Sequence, residues 1–361
     1  MSETWISKIE NLIVQIATPF NSGTGFFIPQ YKIIITNEHV IRENKSVVIE
    51  GRIIERQRAN VIYIDDYKDI AFLQYENSQL PCEDLSIFKD AIKVGSSVIA
   101  LGHPFGLKFT ATRGIISSLD YNLGSLNYLQ HDAALNPGNS GGPLFTSDGK
   151  LLGLNTFIVK EGQNIGLALP SSEILDSIEK YQPNFPHKAI CCGSCRTLLL
   201  EDLNSSSHCN SCGSNVAFIR DCEDYEPTGI CKKIESVIES LGYDIMISRK
   251  GTGNWEINKG SATIHITYHE KSGFLISDAT LCYLNNKDID KVYVYLLKQN
   301  YHIKGMTFSL RDNQIVISSM IYDQQLHFET CKKAIERLIK NADLYDNILS
   351  NQFGLEMVNE Y

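Results

Sequence analysis

The sequence lacks the features that would mark a membrane-spanning, secreted or nucleic-acid-binding chain. No apolar run among its 361 residues approaches the roughly 20 that a membrane-spanning helix needs. The segment Met1–Glu10 has no basic start followed by an apolar core, so we expect no secretory signal. Acidic residues outnumber basic ones by 42 to 33, and neither half carries the basic excess of a nucleic-acid-binding domain. We therefore expect a cytoplasmic protein with no membrane partner, for which nucleic acid is a disfavoured partner.

What is present indicates a globular protein of several domains. The chain is 43% hydrophobic and 21% charged, close to globular averages, and it is longer than one typical domain. Proline-containing and acidic stretches separate three patterns along the chain. We predict domains at residues 1–182, 187–222 and 228–361.

The first pattern is that of a β domain. Residues 11–170 contain about a dozen short runs rich in Ile, Val, Phe, Tyr and Thr, separated by Gly, Asn, Asp and Pro. Short strands with almost no helical periodicity predict an all-β barrel or sandwich. Ser171–Tyr181 places Ile174, Leu175 and Ile178 on one helical face, which predicts a helix after the strands.

Three segments of this domain carry residues suited to nucleophilic catalysis. They are Thr36-Asn37-Glu38-His39-Val40, Lys68-Asp69-Ile70-Ala71 and Asn136-Pro137-Gly138-Asn139-Ser140-Gly141-Gly142. A serine hydroxyl needs an adjacent base at neutral pH, and a histidine oriented by a carboxylate is such a base. His39, Asp69 and Ser140 occur in the chain order of chymotrypsin-type enzymes. The N–H groups of Gly138 and Ser140 are candidates for an oxyanion hole. Each residue alone is more often structural, so the prediction depends on the set.

The motifs resemble those of the HtrA/Deg serine endopeptidases when two further segments are included, Asp132-Ala133-Ala134-Leu135 and Asn164-Ile165-Gly166-Leu167-Ala168-Leu169-Pro170. The resemblance covers roughly residues 11–175. It implies a chymotrypsin-like double β-barrel in which His39 is the general base, Asp69 orients it and Ser140 attacks the substrate carbonyl. It also implies protein or peptide substrates and no cofactor for catalysis.

The same resemblance carries expectations about specificity and assembly. It places a substrate pocket beside Ala134, Leu154 and Leu167. Because Ala134 is not acidic, we expect small or medium aliphatic side chains in that pocket rather than Lys or Arg. HtrA proteins usually carry PDZ domains and tend to form trimers through N-terminal segments. This sequence shows no PDZ segment, and Trp5 and Ile6 are its candidate trimer contacts, so a homo-oligomer is an open expectation.

Four of the ten cysteines form two C-x-x-C pairs. The pairs are Cys192-Gly193-Ser194-Cys195 and Cys209-Asn210-Ser211-Cys212. Two such pairs predict a tetrahedral Zn²⁺ site, and its role is structural because so small a segment cannot hold a core without metal. The pattern resembles a zinc ribbon, with Gly193 and Gly213 suited to its reversed turns. A redox pair, an iron–sulfur site and a metal-free relic are alternatives, and Cys191 or His208 could replace one ligand.

The last pattern is that of an α+β domain. From Ile230 to Leu349 the predicted order is α-β-β-β-β-α-β-β-α, with the first strand at Asp244–Ser248. This element order resembles the type III secretion chaperone-like fold, including its YbjN-like branch. The resemblance implies a partner- or peptide-binding module, and a folded domain with an ordinary core is the alternative.

The sequence as a whole therefore predicts a multidomain chain: a chymotrypsin-like double β-barrel, a small zinc ribbon and an α+β domain. We expect an intracellular serine endopeptidase that is regulated or targeted by its ribbon and its α+β domain. An activating partner protein could bind through the α+β domain, residues 228–361. One alternative is a protease-like scaffold or partner-binding module with little proteolysis. Another is a zinc-ribbon nucleic-acid binder that carries a protease domain.

Overall fold

The fold is described from a computed structural model of the chain. It covers residues 4–75, 84–103, 109–158, 165–203, 206–260, 262–285 and 289–358. Asn164, part of one motif above, lies outside the described residues. The chain divides into two compact units, Met1–Asp224 and Tyr225–Tyr361. The cysteine pairs belong to the first unit, and the three predicted domain boundaries stay predictions.

Six strands of the first unit close into an antiparallel barrel. They are β1 (Ile13–Ala17), β2 (Ser22–Ile28), β3 (Ile33–Thr36), β4 (Ser46–Gly51), β5 (Gln57–Asp65) and β6 (Ile70–Gln74). The order is β5-β4-β1-β2-β3-β6, and β6 pairs back to β5. Strands such as β1 and β3 are buried along their whole length because the closed barrel packs their apolar side chains into one core.

A second closed barrel follows in the same unit. Its strands are β7 (Ser97–Gly102), β8 (Thr110–Leu123), β9 (Leu126–His131), β10 (Pro143–Thr146), β11 (Leu151–Ile158) and β12 (Gly166–Pro170), in the order β10-β11-β12-β9-β8-β7. The unit also contains the helices α1 (Thr4–Ile9), α2 (Glu38–Ile41) and α3 (Ser171–Tyr181). The expected chymotrypsin-like double β-barrel is thus confirmed.

The cysteine segment extends the sheet of the first barrel. Strand β13 (Ala189–Cys191) runs parallel to β5, with Ala189 opposite Tyr63 and Ile190 opposite Ile64. Strand β14 (Leu198–Leu200) pairs antiparallel with β13. The segment is therefore joined to the barrel through backbone hydrogen bonds immediately before the end of β5.

The N-terminal helix α1 packs on the second barrel. The Trp5 ring lies 5.4 Å from the Phe145 ring between centroids, and Trp5 Nε1 donates to the Ser147 carbonyl oxygen at 3.3 Å. Trp5, a candidate trimer contact, thus makes contacts within its own chain. The trimer itself stays a prediction.

The second unit is the predicted α+β domain. Its elements are α4 (Gly229–Ser240), α5 (Ile245–Ser248), β15 (Arg249–Gly251), β16 (Asn254–Lys259), β17 (Ala262–His269), β18 (Phe274–Tyr283), α6 (Ile289–His302), β19 (Thr307–Arg311), β20 (Gln314–Tyr322) and α7 (Phe328–Phe353). An antiparallel sheet of order β15-β16-β17-β18-β20-β19 shares one apolar core with side chains of the helices. Within the described residues no helix is both long and apolar enough to span a membrane.

The strand predicted at Asp244–Ser248 is wrong. This segment forms the single helical turn α5, and β15 begins only at Arg249. The Asp244 carboxylate accepts hydrogen bonds from the backbone N–H groups of Met246 and Ile247, at 2.8 and 3.3 Å. An aspartate that satisfies these N-terminal donors starts a helical turn, and this local hydrogen bonding outweighs the β-branched character of the isoleucines.

Candidate active site

Two consecutive turns shape the backbone around Ser140. The Asn139 N–H donates to the Asn136 carbonyl oxygen, and the Gly142 N–H donates to the Asn139 carbonyl oxygen, both at 3.0 Å. Gly138 and Gly141 occupy the third position of these turns, with φ of 102° and 83°. A positive φ at that position alone defines a type II turn, which favours glycine there. The glycines of the motif are therefore required by the backbone on either side of Ser140.

His39 and Asp69 form the hydrogen-bonded pair that the sequence predicts. Asp69 Oδ2 lies 2.8 Å from His39 Nδ1, and Asp69 Oδ1 accepts the backbone N–H of His39 at 3.0 Å. A carboxylate at Nδ1 selects the tautomer with the proton on that nitrogen, which leaves Nε2 free to accept one. The His39 side chain is 36% exposed, so the ring is accessible to substrate.

Two further residues hold the Asp69 side of this pair. Thr156, on β11, donates its hydroxyl proton to Asp69 Oδ2. The Asn37 side-chain amide donates to the Asp69 carbonyl oxygen at 2.8 Å. Asp69 itself has a φ of 52°, a left-handed conformation uncommon for a residue with a side chain. The sequence did not predict either contact. Thr156 follows Asp69 by 87 positions, and Asn37 lies in the Thr-Asn-Glu-His motif but was assigned no role there.

The Ser140 turn packs against β2 and β3 of the first barrel. The Thr24 N–H donates to the Ser140 carbonyl oxygen at 2.9 Å, and Thr24 Oγ1 donates to the Gly138 carbonyl oxygen at 2.6 Å. A Cβ atom on Gly141 would collide with the Thr24 carbonyl oxygen and Thr36 Oγ1. Since Thr36 precedes His39 by three positions, the turn lies beside the predicted base. Within the described residues, however, Ser140 Oγ makes no hydrogen bond with His39.

Asn155 joins the same turn to the second barrel. Its carbonyl oxygen accepts the Gly141 N–H, and its own N–H donates to the Gly142 carbonyl oxygen, both at 2.9 Å. Its side-chain amide donates to the Pro143 carbonyl oxygen at 3.2 Å, and Asn155 Oδ1 lies 3.1 Å from His131 Nε2. Burial lowers the pKa of His131 to about 4, so this histidine is neutral at pH 7 and donates from Nε2 to Asn155.

The three predicted pocket residues differ in exposure. Ala134 is exposed, and its carbonyl oxygen accepts the Thr112 hydroxyl at 2.9 Å. Leu154 and Leu167 are fully buried in the core that the two barrels share. The role of these residues in selecting substrate stays a prediction.

The two C-x-x-C pairs form matching turns, which we call the first knuckle (Cys192–Thr197) and the second knuckle (Cys209–Ser214). In the first knuckle the Arg196 N–H donates to the Cys192 carbonyl oxygen at 2.9 Å, and in the second the Gly213 N–H donates to the Cys209 carbonyl oxygen at 2.8 Å. Arg196 and Gly213 have φ of 65° and 76°. The expectation for Gly213 is thus met, whereas in the first knuckle the left-handed residue is Arg196 and not Gly193.

The four knuckle cysteines present their sulfur atoms to a common point. All four Sγ atoms lie within 4.8 Å of one another, with Cys192 and Cys212 at 3.7 Å and Cys195 and Cys209 at 3.6 Å. Tetrahedral zinc with Zn–S bonds of about 2.3 Å separates its sulfur ligands by about 3.8 Å. The arrangement therefore fits one tetrahedral metal ion. Cys191 lies outside this group, since its Sγ contacts Lys180 Nζ at 3.6 Å and the Arg196 carbonyl oxygen at 3.4 Å.

Comparisons with known proteins agree with this geometry. Residues 23–154 match a family model described as a trypsin-like peptidase domain. The chain is 37% identical over 171 residues to serine protease HTRA4 of Mus musculus, covering 45% of this chain and 35% of that protein. It is 39% identical over 172 residues to the periplasmic pH-dependent serine endoprotease DegQ of Escherichia coli (strain K12), covering 45% and 38%. A solved serine endoprotease from Yersinia pestis aligns at 28% identity and a TM-score of 0.46, covering 51% of this chain and 68% of that one.

These relatives confirm the predicted resemblance to HtrA-like proteases, and residues 23–154 of the first unit match a trypsin-like peptidase domain. The chain spans only 35% and 38% of the length of the two curated relatives above. The residues that match the family model lie in the first unit, and residues 225–361 lie outside that match.

Proposed function

We propose that this protein is a serine endopeptidase that cleaves protein substrates with His39, Asp69 and Ser140. One observation carries the proposal: a histidine and an aspartate are joined at 2.8 Å inside a trypsin-like peptidase domain, beside the glycine turn that holds Ser140. The serine protease HTRA4 and the serine endoprotease DegQ match the chain over 171 and 172 residues, which supports the same reaction.

Ser140, His39 and Asp69 each have a distinct role in the proposed reaction. Ser140 Oγ attacks the substrate carbonyl carbon while His39 Nε2 takes the hydroxyl proton, and Asp69 stabilises the imidazolium that results. The N–H groups of Gly138 and Ser140 hold the oxyanion. His39 then gives the proton to the leaving amine, and a water molecule, activated by the same histidine, hydrolyses the acyl-enzyme.

Cleavage of an unfolded protein tests this proposal. Ser140→Ala should lower the turnover number by about 10⁴- to 10⁶-fold, because a triad acts as a unit. Ser147→Ala, an exposed serine a few residues further along the chain, is the matched control and should cleave normally. Wild-type activity that survives in purified Ser140→Ala protein would contradict the assignment.

A protease-like scaffold is the second candidate, and one observation favours it. Within the described residues Ser140 Oγ makes no hydrogen bond with His39. Catalytic hydrogen bonds of free enzymes often form only once substrate binds, so this geometry also suits an enzyme at rest. A scaffold predicts no cleavage by wild-type protein even with an unfolded substrate present, whereas an enzyme at rest predicts cleavage.

The cysteine group is proposed to bind a structural Zn²⁺ ion. Cys192, Cys195, Cys209 and Cys212 would hold it, and their Sγ separations of 3.6 and 3.7 Å support this metal geometry. When bound, the metal supplies cross-linking of the two knuckles and takes no part in peptide hydrolysis.

The cytoplasmic location expected from the sequence stays a proposal. Four closely spaced thiols that suit a metal site support a reducing compartment. The name of the relative DegQ describes it as periplasmic, so the proposal assigns this chain to a different compartment from DegQ. Cell fractionation tests it, and recovery in an oxidising compartment would contradict it.

The second unit is proposed to recruit the protein substrate. Three apolar side chains on one helix, α6, support this role because they are exposed: Val294 at 52%, Leu297 at 70% and Tyr301 at 87%. Apolar residues grouped in this way are typical of a surface that binds another polypeptide. An unfolded protein exposes apolar side chains that would pack against them.

A further inference from the structure

We propose that Arg196, in the first knuckle, is a positioning residue for the catalytic aspartate. It would act through Asp65, which begins the loop that carries Asp69. The inference rests on the proposed function, because it assigns a role to the cysteine segment in the same active site.

The loop that carries Asp69 is short and fixed at both ends. Asp65, the last residue of β5, pairs with Ile70, the first residue of β6. Only residues 66–69 lie between them, and Asp69 adopts a φ of 52°. Since Asp69 is directly next to β6, a displacement of the loop moves the carboxylate relative to His39.

Arg196 contacts this loop at two points. Its guanidinium donates from Nη2 to Asp65 Oδ2 at 2.9 Å, and it lies over the Tyr67 ring, 4.1 Å from the centroid. The other carboxylate oxygen of Asp65 accepts the Lys68 backbone N–H at 3.1 Å. The buried Asp65 side chain, only 2% exposed, therefore connects the first knuckle to the residue next to Asp69.

The left-handed backbone of Arg196 directs its side chain to Asp65. The residue after the second C-x-x-C pair, Gly213, takes a left-handed φ of 76° without steric cost. Arg196 takes the equivalent φ of 65° with a full side chain, which L-residues rarely do. The knuckle imposes this φ through hydrogen bonds, and the resulting direction of the side chain is what brings its guanidinium to Asp65.

The rest of the loop is held by residues outside the cysteine segment. Lys68 Nζ binds Asp176 Oδ2 at 2.6 Å and Glu173 Oε2 at 2.8 Å, both on α3. The Tyr67 hydroxyl accepts the Ser125 N–H at 2.9 Å. Loss of Arg196 would therefore loosen the loop at Asp65 without unfolding it. It would also leave a buried carboxylate without its cationic partner, which is an unfavourable state that favours a shift of the backbone.

The test uses full-length Arg196→Gly protein. Glycine suits the left-handed backbone, as Gly213 shows in the second knuckle, so the variant removes the side chain while retaining the metal-binding turn. We expect the turnover number to fall by about 10- to 100-fold, the size of effect that a displacement near 1 Å produces, with KM unchanged within about twofold. Arg52→Ala, which removes an exposed ion pair with Glu10, is the control and should behave as wild type.

Two readouts that need no turnover accompany the kinetics. Zinc content should remain that of wild type, which shows that the knuckles are intact. The low-field proton resonance of His39 Nδ1–H, hydrogen-bonded to Asp69, should broaden or disappear in Arg196→Gly and persist in Arg52→Ala. Arg196→Lys keeps the charge but loses the planar guanidinium. Its turnover number should therefore lie between those of wild type and Arg196→Gly.

The outcomes separate this inference from the proposed function. If Ser140 is not a nucleophile, all variants are inactive, but the resonance still reports whether Arg196 positions Asp69. If Arg196→Gly retains zinc, full turnover and an unchanged resonance, the inference is overturned. If Arg196→Gly loses zinc, the Asp65→Asn variant decides: an unchanged resonance there overturns the coupling, and a broadened one supports it.

Discussion

His131 is a buried residue whose ionisation should lower the stability of the first unit at mildly acidic pH. Its side chain is fully buried, and desolvation lowers its pKa to about 4. In the unfolded chain a histidine titrates near 6.5, so below that pH the unfolded state binds more protons than the folded state. The free energy of unfolding should therefore fall as pH decreases from about 6.5 to 4, by roughly 3 kcal/mol in total.

Urea unfolding of full-length protein at pH 7 and pH 4.5 measures this effect. His131→Gln can still donate to Asn155 Oδ1 but cannot be protonated, so its loss of stability between the two pH values should be smaller than that of wild type. His187→Gln alters an exposed histidine and should leave the wild-type difference unchanged. An equal loss in wild type and His131→Gln would show that His131 does not titrate on unfolding.

Among single residues, the sequence predicts those that lie within motifs. It misses those whose contacts join distant parts of the chain. His39 and Asp69 were predicted because each lies inside a motif. In the structure His39 Nδ1 lies 2.8 Å from Asp69 Oδ2. Thr156 donates to the same carboxylate but has no motif, because only the barrel geometry brings β11 to Asp69. Arg196 was missed for a related reason, since its left-handed φ and its contact with Asp65 both depend on the folded knuckle.

The cysteine segment is the element whose stability should depend on a metal ion. Its strands add to the first barrel, but its four knuckle sulfurs lie within 4.8 Å of one another. We expect about one zinc ion per chain by elemental analysis of full-length protein. Cys209→Ser should lower the retained zinc, and a chelator should make residues 192–222 susceptible to proteolysis, because the two knuckles lose their cross-link.

Cys222→Ser is the matched control for the zinc measurement, since this cysteine lies outside the group of four. It should retain zinc at the wild-type level. A folded, protease-resistant protein that contains no metal would contradict the proposed site. Visible absorption with bound iron would instead favour the iron–sulfur alternative.

Elements with regular side-chain patterns were predicted well. The bounds of α3 agree with the expected helix Ser171–Tyr181, because a helical apolar face marks this segment. The segment Asp244–Ser248 was wrong because a capping aspartate decided the local structure. The parallel pairing of β13 with β5 could not be predicted, since it joins segments more than a hundred residues apart.

Each of the two units has a hydrophobic core of its own. The double barrel and the cysteine segment share a large core, a smaller cluster lies within the second barrel, and the helices and sheet of the second unit form a separate core. Units with separate cores are able to fold and to act separately. Recruitment of substrate by the second unit should therefore affect protein substrates and leave the chemistry of the barrel unchanged.

Paired kinetics on a short peptide and on an unfolded protein test that division. The double variant Leu297→Asp with Tyr301→Asp places charge on the exposed face of α6. We expect KM for the unfolded protein to rise by about tenfold or more, since apolar burial is lost, while peptide kinetics stay at wild type. Lys333→Asp, exposed on α7, should change neither. Equal KM values for the unfolded protein in wild type and double variant would contradict recruitment through α6.

The most direct test of the account is covalent labelling of the full-length protein with a fluorophosphonate probe, which reacts with a serine activated by an adjacent base. Wild-type protein should be labelled at Ser140, located by peptide mass mapping, and Ser147→Ala should be labelled to the same extent. Ser140→Ala should not be labelled. Folded wild-type protein that stays unlabelled even with an unfolded substrate present, or that is labelled at another serine, would contradict a catalytic Ser140.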